Sequence, residues 1–214
     1  PAQPCSCYPS ARHKGFYAYG TENDTAKVSR LVTDGKRLFK GPAYDQPIED
    51  TSTDLASEWP VYRHDAQRTG AVATDVPNDL HPCWTVELNE PATAPTVAAG
   101  SVFVAGRHTR KVYALESGTG RQSWSRYVSG LVDTPPTVFG GRVYCGTCDG
   151  YVYCLRANDG DIVWWFNANP RHRMIVNFGQ LESAWPVHGS VIIKDNVVYF
   201  SAGRSSYLWM PYPF

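Results

Sequence analysis

The chain has 214 residues, and its 20 basic and 20 acidic side chains give a formal net charge of zero. This balance argues against a dedicated nucleic-acid or membrane-surface protein, because both usually carry a basic excess. Apolar residues make up 43% of the chain, but none of their runs reaches the roughly eighteen residues that a membrane-spanning helix requires.

Residues 1–57 differ in pattern from the rest of the chain. Residues 14–20 (KGFYAYG) resemble a single β-strand, so residues 1–20 are interpreted as the tail of a preceding module. Residues 21–57 are polar and mixed, and they are interpreted as a linker. The chain starts at Pro1 with neither a Met nor a signal segment, so we expect it to be a fragment of a longer protein.

An internal repeat dominates the remainder of the chain. Trp84, Trp124 and Trp164 follow one another at intervals of 40 residues (124 − 84 and 164 − 124). The sequence TAPTV at 93–97 recurs as TPPTV at 134–138. A period near 40 residues is typical of the blades of a β-propeller, each of which is built from four short antiparallel strands.

Each repeat contains short apolar runs separated by tight-turn signals. The runs are VFVA, VYAL, VYCL and VVYF, at 102–105, 112–115, 152–155 and 197–200. Consecutive apolar residues predict strands that are buried on both faces, as in stacked blades, because a strand with one solvent face alternates instead. The expected turns within the first hairpins are Ala99–Gly100, Gly140–Gly141 and Asp195–Asn196.

The repeat therefore predicts an all-β fold, a partial β-propeller of four-stranded antiparallel blades over residues 58–214. Its parts, in chain order, are a lead-in segment (58–82), a fourth strand without its proper partner (83–88), two full blades (92–127 and 133–167) and the start of a third blade (187–208). Residues 209–214 fit no repeat.

The most specific family signal lies in residues 112–124 (VYALESGTGRQSW). This stretch resembles the repeat of bacterial PQQ-type (quinoprotein-like) β-propellers, in which a strand ending in Ala-Leu-Asp leads to a Thr-Gly turn and then to a Trp. The chain departs from that repeat at Glu116 and Arg156, where the family usually has Asp. Residues 59–70 (WPVYRHDAQRTG) also resemble the segment that leads into such propellers. The resemblance implies that the repeated tryptophans, Trp84, Trp124 and Trp164, dock between neighbouring blades.

Blade topology predicts where a binding site can lie. The loops between second and third strands share one rim with the connections between blades, and the connection from Asn167 to Pro186 is unusually long. Long ordered loops on a rigid scaffold often carry function. The charged residues expected on this rim are Arg107, His108, Arg110, Arg171, His172, Arg173 and Arg204, together with Asp149 and Glu182. They predict binding of an anionic ligand or an acidic partner peptide, and the alternative is a solvated surface of paired charges.

The stretch 180–188 (QLESAWPVH) brings an acid, an aromatic residue and a histidine to the same rim. Glu182, Trp185 and His188 can form a pocket there. The alternative is that His188 is a buried, hydrogen-bonded histidine of the core.

The cysteines carry a weaker signal. Cys145 and Cys148 form a C-x-x-C motif, but a zinc ribbon needs a second such pair at a suitable spacing. Cys145 and Cys154 align with core strand positions of the preceding repeat, which favours small apolar packing. A cross-strand disulfide between them is the alternative.

The resemblance implies two different functions. We expect a non-catalytic protein-binding or assembly scaffold of the bacterial cell envelope, whether periplasmic, envelope-associated or secreted, with no catalytic, cofactor or metal residue and no nucleic-acid partner. The alternative is a PQQ-dependent quinoprotein oxidoreductase of the alcohol or sugar dehydrogenase type. Its quinone and calcium ion would then be held by blades outside this sequence, because the chain has no adjacent cysteine pair.

Overall fold

The computed structural model describes residues 36–50, 56–177 and 179–204. Within these ranges every regular element is a β-strand, and every pairing between strands is antiparallel. In chain order the strands are β1 (Leu38–Lys40), β2 (Thr96–Ala98), β3 (Ser101–Ala105), β4 (Lys111–Glu116), β5 (Gln122–Tyr127), β6 (Thr137–Phe139), β7 (Arg142–Gly146), β8 (Tyr151–Arg156), β9 (Ile162–Asn167), β10 (Met174–Asn177), β11 (Gln180–Ser183), β12 (Ile192–Lys194) and β13 (Val197–Tyr199).

The two full blades predicted from the repeat are confirmed. Blade 1 is the sheet β2-β3-β4-β5, and blade 2 contains β6-β7-β8-β9 in the same order. The first hairpin of each repeat closes with a two-residue turn whose two φ angles lie between 50° and 70°. These are type I′ turns, whose twist matches that of the strands they join. The three turns are Ala99–Gly100, Gly140–Gly141 and Asp195–Asn196.

Blade 2 is buried on both faces, as its continuous apolar runs predict. One face shares a core with blade 1, where Phe103 and Ala114 meet Val143 and Leu155. The opposite face packs against the start of the third blade, where Val191 belongs to the second core. The first strand of blade 2 is also tied to the third blade by Thr137, whose hydroxyl donates a hydrogen bond to the carbonyl of Val191 at 2.6 Å.

The third blade begins as expected with the hairpin β12–β13. By contrast, residues 83–88 form no β-strand within the described part of the chain, and most of them are exposed. The segment was expected to lack its proper partner, and it makes no ladder hydrogen bonds here. The proposed strand at 14–20 and the end of the third blade beyond Arg204 lie outside the described residues.

Residues 36–50 correct the interpretation of 21–57 as a linker. β1 pairs with β9 and makes blade 2 a five-stranded sheet. The chain then continues along the outer edge, where the amide of Gly41 donates to the carbonyl of Val163 at 2.8 Å, and Ala43 is fully buried. The strand β1 is only three residues long and belongs to no repeat, so the sequence carried no signal for its pairing with β9.

The repeated tryptophans dock on the following repeat in one shared geometry. The indole Nε1 of Trp124 donates to the carbonyl of Ala157 at 2.9 Å, and that of Trp84 donates to Ser117 at 2.8 Å, which is 33 residues later in both cases. Each indole also covers a turn glycine, Gly160 or Gly120.

Trp164 occupies the equivalent position on β9 of blade 2. There it lies opposite Cys154 on one side and Lys40 of β1 on the other, and its ring meets that of Tyr144 at 6.0 Å. Its expected docking site on the third blade lies beyond the described residues.

Within the described ranges no helix has the length and apolar character needed to cross a lipid bilayer.

The contact between Trp124 and Gly160 predicts a specific loss of stability. A Cβ on Gly160 would lie 2.5 Å from Cε3 of Trp124, and the residue has a φ of +73°. We expect Gly160→Ala to lower the free energy of unfolding by about 3 kcal/mol, from backbone strain and overpacking combined. Urea denaturation followed by tryptophan fluorescence measures the change.

Gly100→Ala is the matched control for this variant. Gly100 has a φ of +70°, but nothing lies within 4 Å of its added Cβ. It should therefore show the backbone cost alone, about 1 kcal/mol. Equal losses for the two variants would contradict the docking role of Trp124.

Candidate functional site

Four chain segments meet on the rim predicted from blade topology, which we call the loop rim. They are the two loops between second and third strands (106–110 and 147–150) and the two connections between blades (128–136 and 168–191). The last of these is not a plain loop, because it contains the hairpin β10–β11.

Backbone hydrogen bonds hold these segments side by side. The amide of Cys148 donates to Leu131 at 2.8 Å, and the amide of Ser183 donates to Cys148 at 2.9 Å. Val187 in turn donates to Thr147 at 3.0 Å. The loop that contains Cys148 is thus fixed on both sides, by the connection before blade 2 and by the connection after it.

Glu90 organises the first loop of the rim. Its carboxylate accepts hydrogen bonds from the amides of His108 and Thr109, at 3.0 and 2.9 Å, and from the Tyr113 hydroxyl at 2.9 Å. Desolvation opposes ionisation, but the hydrogen bonds from Thr109 and its neighbours outweigh it, and the pKa of Glu90 is lowered. Sequence analysis missed this residue, because it precedes the strand repeat and belongs to no motif.

Most of the predicted basic residues lie exposed on the loop rim. Arg107, His108, Arg110, Arg171, His172 and Arg173 are all exposed. Arg107 lies 3.9 Å from Asp133, and Arg110 donates to the carbonyl of Ser129 at 3.4 Å.

Arg204 and Glu182 do not present their charges to a partner. Their side chains form an ion pair and are only 10% and 9% exposed. Asn177 adds a hydrogen bond to the same Glu182 carboxylate at 3.2 Å. This pair ties the chain after β13 to the hairpin β10–β11, so its role in the structure is to hold the rim together.

The remaining predicted residues, Asp149 and Trp185, are intermediate in exposure between these two groups. Asp149 is half-buried and accepts a hydrogen bond from the Thr147 hydroxyl. Trp185 is half-buried, and its amide donates to the Ser183 hydroxyl at 2.9 Å. Asn169, which the sequence did not single out, is buried and donates to the carbonyl of Asp149 at 3.0 Å.

The loop rim also brings a thiol, an imidazole and a carboxylate together. The Sγ of Cys148 lies 3.1 Å from Oδ2 of Asp133 and 3.8 Å from Nδ1 of His188. The same Nδ1 and Oδ2 atoms are 3.1 Å apart. Cys148 is buried, whereas the side chains of His188 and Asp133 are 37% and 31% exposed.

The electrostatics of this cluster are dominated by the carboxylate. The hydrogen bond from His188 is the main reason that the pKa of Asp133 is lowered. Burial, followed by the neighbouring Asp133 carboxylate, raises the pKa of the Cys148 thiol. A thiolate therefore needs a cation in the cluster to become stable at neutral pH.

These positions refine the sequence predictions for His188 and the cysteines. His188 is hydrogen-bonded, as one interpretation held, but it is half-exposed on the rim and not buried in the core. Cys145 and Cys154 do pack in the core. They belong to the two cores on opposite faces of blade 2 and are free thiols, so the proposed disulfide between them is wrong.

The cluster of Cys148, His188 and Asp133 does not fit the calcium ion that the family resemblance implies. Calcium prefers oxygen ligands throughout, whereas the cluster on the rim offers sulfur, nitrogen and a single carboxylate. The docking tryptophans Trp84 and Trp124 cover turn glycines, so their rings are not free to stack on a planar quinone. No chemical step through these groups can be assigned to this part of the chain.

A cavity of about 380 Å³ opens on the opposite rim, where only short turns were predicted. It lies between the lead-in segment, with Pro60 and His64, and the first strands of blades 2 and 3, with Phe139 and Ile193. Its lining is mainly apolar, and Asp50 and Asp65 stand at its edge.

These features define a β-propeller of PQQ-like repeats. Its four-stranded antiparallel blades are stacked, dock through a repeated tryptophan and carry loops along one rim. The chain belongs to the PQQ-repeat family described as outer membrane protein assembly factor BamB, whose profile matches residues 67–201.

Three individual proteins are similar to parts of this chain. Quinoprotein ethanol dehydrogenase of Pseudomonas putida is 27% identical over 99 residues, covering 40% of this chain and 16% of that protein, so the chain matches about a sixth of its relative's length. A europium-containing methanol dehydrogenase superposes with a TM-score of 0.54 at 16% identity, over 68% of this chain and 27% of the other. BamB from Moraxella catarrhalis gives a TM-score of 0.40 at 14% identity, over 77% and 58%.

The buried ion pair yields a second stability prediction. Glu182→Gln leaves the Arg204 cation buried without its counter-charge, so we expect a loss of about 3 kcal/mol in the free energy of unfolding. The matched control is Glu116→Gln, which breaks the exposed pair with Arg121 and should cost far less, because solvent screens an exposed pair. Chemical denaturation of both variants measures the difference, and similar losses would contradict a structural role for the buried pair.

Proposed function

We propose that this chain is the binding part of a non-catalytic PQQ-like propeller of the cell envelope, and that the loop rim contacts an acidic segment of a partner protein. The observation that carries the proposal is the exposure of six basic residues on one rim of a chain whose net charge is zero. A local excess of one charge on a neutral protein is a means of attracting a partner of the opposite charge.

The acids of the rim pair with only some of its basic residues, as Asp133 does with Arg107 at 3.9 Å. Glu90 is bound by the amides and hydroxyl of the loop it organises, and Glu182 is paired with Arg204. Neither Arg110 nor Arg171 forms a salt bridge within the described ranges. The positive potential at these two positions is therefore available to a ligand.

The family description supports both the compartment and the kind of function. It names an assembly factor for outer membrane proteins. The basic rim of this chain supplies a surface for such contacts. The family description and the basic rim together support the proposal of an envelope protein that contacts an acidic peptide segment and not a nucleic acid.

The second candidate is a quinoprotein oxidoreductase, which the similarity to quinoprotein ethanol dehydrogenase favours. In that case the residues described here would form supporting blades, and the cofactor would be held elsewhere in the whole protein. Calcium- and PQQ-dependent oxidation of an alcohol by the whole protein would favour this candidate over the scaffold.

Charge reversal on the rim tests the main proposal. We expect Arg110→Glu combined with Arg171→Glu to weaken binding of a fluorescent oligoglutamate peptide about tenfold at low ionic strength, because two attractive charges become repulsive. Fluorescence anisotropy gives the dissociation constants. Both side chains are exposed, so the thermal melt should stay unchanged.

Lys194→Glu provides the matched control. Lys194 is exposed at the β12–β13 hairpin, on the opposite rim, and its reversal makes the same change per site in net charge. It should alter the dissociation constant less than about twofold, because its charge is far from the bound peptide. Unchanged binding by the double variant, or equal weakening by Lys194→Glu, would rule out the loop rim as the binding surface.

A further inference from the structure

The geometry of the cluster on the loop rim points to a metal site: we propose that Cys148, His188 and Asp133 bind a divalent ion of the zinc type, with a fourth coordination position open to solvent. This site is independent of the acidic partner proposed above, since it uses none of the residues reversed in that test.

The three side chains bring their ligand atoms close together. Each offers one ligand atom, and the separations between these atoms are 3.1, 3.1 and 3.8 Å. Zinc binds sulfur at about 2.3 Å, and nitrogen or oxygen at about 2.0–2.2 Å, usually in tetrahedral geometry. Tetrahedral angles at those lengths place the ligand atoms about 3.3–3.6 Å apart. The cluster therefore already has the dimensions of three corners of a zinc tetrahedron.

A nucleophilic cysteine triad is a poorer account of the same residues. In such a triad the imidazole bonds the thiol through one ring nitrogen and the acid through the other. Here both Cys148 and Asp133 approach Nδ1 of His188, and they also contact each other directly.

The charges of the cluster fit a divalent cation. A thiolate and a carboxylate together carry two negative charges, and a neutral imidazole adds a third ligand without charge. Glu182 and Asp149 contribute further negative potential at the Cys148 sulfur. Sulfur and nitrogen ligands favour zinc-type ions over calcium and magnesium, which prefer oxygen.

The surroundings hold the ligands in place. Cys148 is fixed by backbone hydrogen bonds to Leu131 and Ser183. His188 follows Val187, which is fully buried and packs so closely on Gly146 that an added Cβ there would lie 2.3 Å from its Cγ1. Arg107 approaches Oδ1 of Asp133 at 3.9 Å and leaves Oδ2 to face the cluster. Outer contacts of this kind commonly orient metal ligands.

The partial exposure of the cluster determines how many coordination positions the protein fills. Cys148 lies at the buried base, whereas His188 and Asp133 reach the surface. Three protein ligands with one solvent-facing side leave room for water or another small ligand at the fourth position. Such open sites differ from structural zinc sites, which are closed by four protein ligands.

Cobalt is the probe for the test, because a thiolate bound to Co²⁺ gives an intense near-ultraviolet charge-transfer band. The experiment uses the full chain with Cys5→Ser and Cys7→Ser as its background, so that the C-x-C motif near the start cannot contribute. We expect one equivalent of Co²⁺ to produce the band and one equivalent of Zn²⁺ to abolish it. Equal concentrations of Ca²⁺ should produce no change.

Variants then assign the band to the cluster. Cys148→Ser should abolish the band. His188→Gln or Asp133→Asn should weaken Zn²⁺ binding by about a hundredfold in chelator competition, because loss of a metal ligand should cost at least as much affinity as loss of an outer contact. Cys83→Ser, which removes an exposed cysteine outside the cluster, should change neither result.

His188→Gln and Asp133→Asn change half-exposed side chains and keep similar volumes, so we expect both variants to fold. Near-ultraviolet circular dichroism checks that their tertiary structure is unchanged. Zn²⁺ should also raise the thermal melting temperature of the background protein and leave that of His188→Gln unchanged. A missing cobalt band, or zinc affinity that is equal in the background and in all three cluster variants, would overturn the proposal.

Discussion

The docking of one tryptophan per repeat onto the next repeat is the contact on which the rest of this structure depends. A single four-stranded blade has two apolar faces and cannot bury either by itself. Trp124 joins the two blades by covering Gly160 and donating a hydrogen bond to Ala157, and Trp84 repeats the arrangement one unit earlier. The loop rim joins segments of both blades, so it depends on the blades being held together.

Much of the fold could be predicted from the sequence because each structural signal occurs once in every repeat. The 40-residue spacing, the continuous apolar runs and the three two-residue turns each recur, and the two blades and the third hairpin match them. The strand β1 could not be found in this way. It has three residues and lies outside the repeat, and it pairs with β9 at the edge of blade 2.

The rim was harder to predict than the blades for a physical reason. Topology places a loop on one rim or the other, but it does not say which side chains within it meet. Asp133, Cys148 and His188 are separated by 15, 40 and 55 positions along the chain, and no spacing rule links them. Arg204 and Glu182 show the opposite error, because two charges that look available in the sequence neutralise each other once the chain is folded.

The outer edge of blade 2 has a bearing on how the chain is made. β1 pairs with β9, so Lys40 meets Trp164 across a sequence separation of 124 positions (164 − 40). During synthesis the N-terminal strand leaves the ribosome long before its partner exists, and blade 1 can form while β1 is still waiting. Contacts of such sequence separation form late and slow a folding reaction. Once made, this contact covers a strand edge that would otherwise invite pairing with a second molecule. Pairing of β1 with β9 therefore also removes this route to aggregation at the outer edge of blade 2.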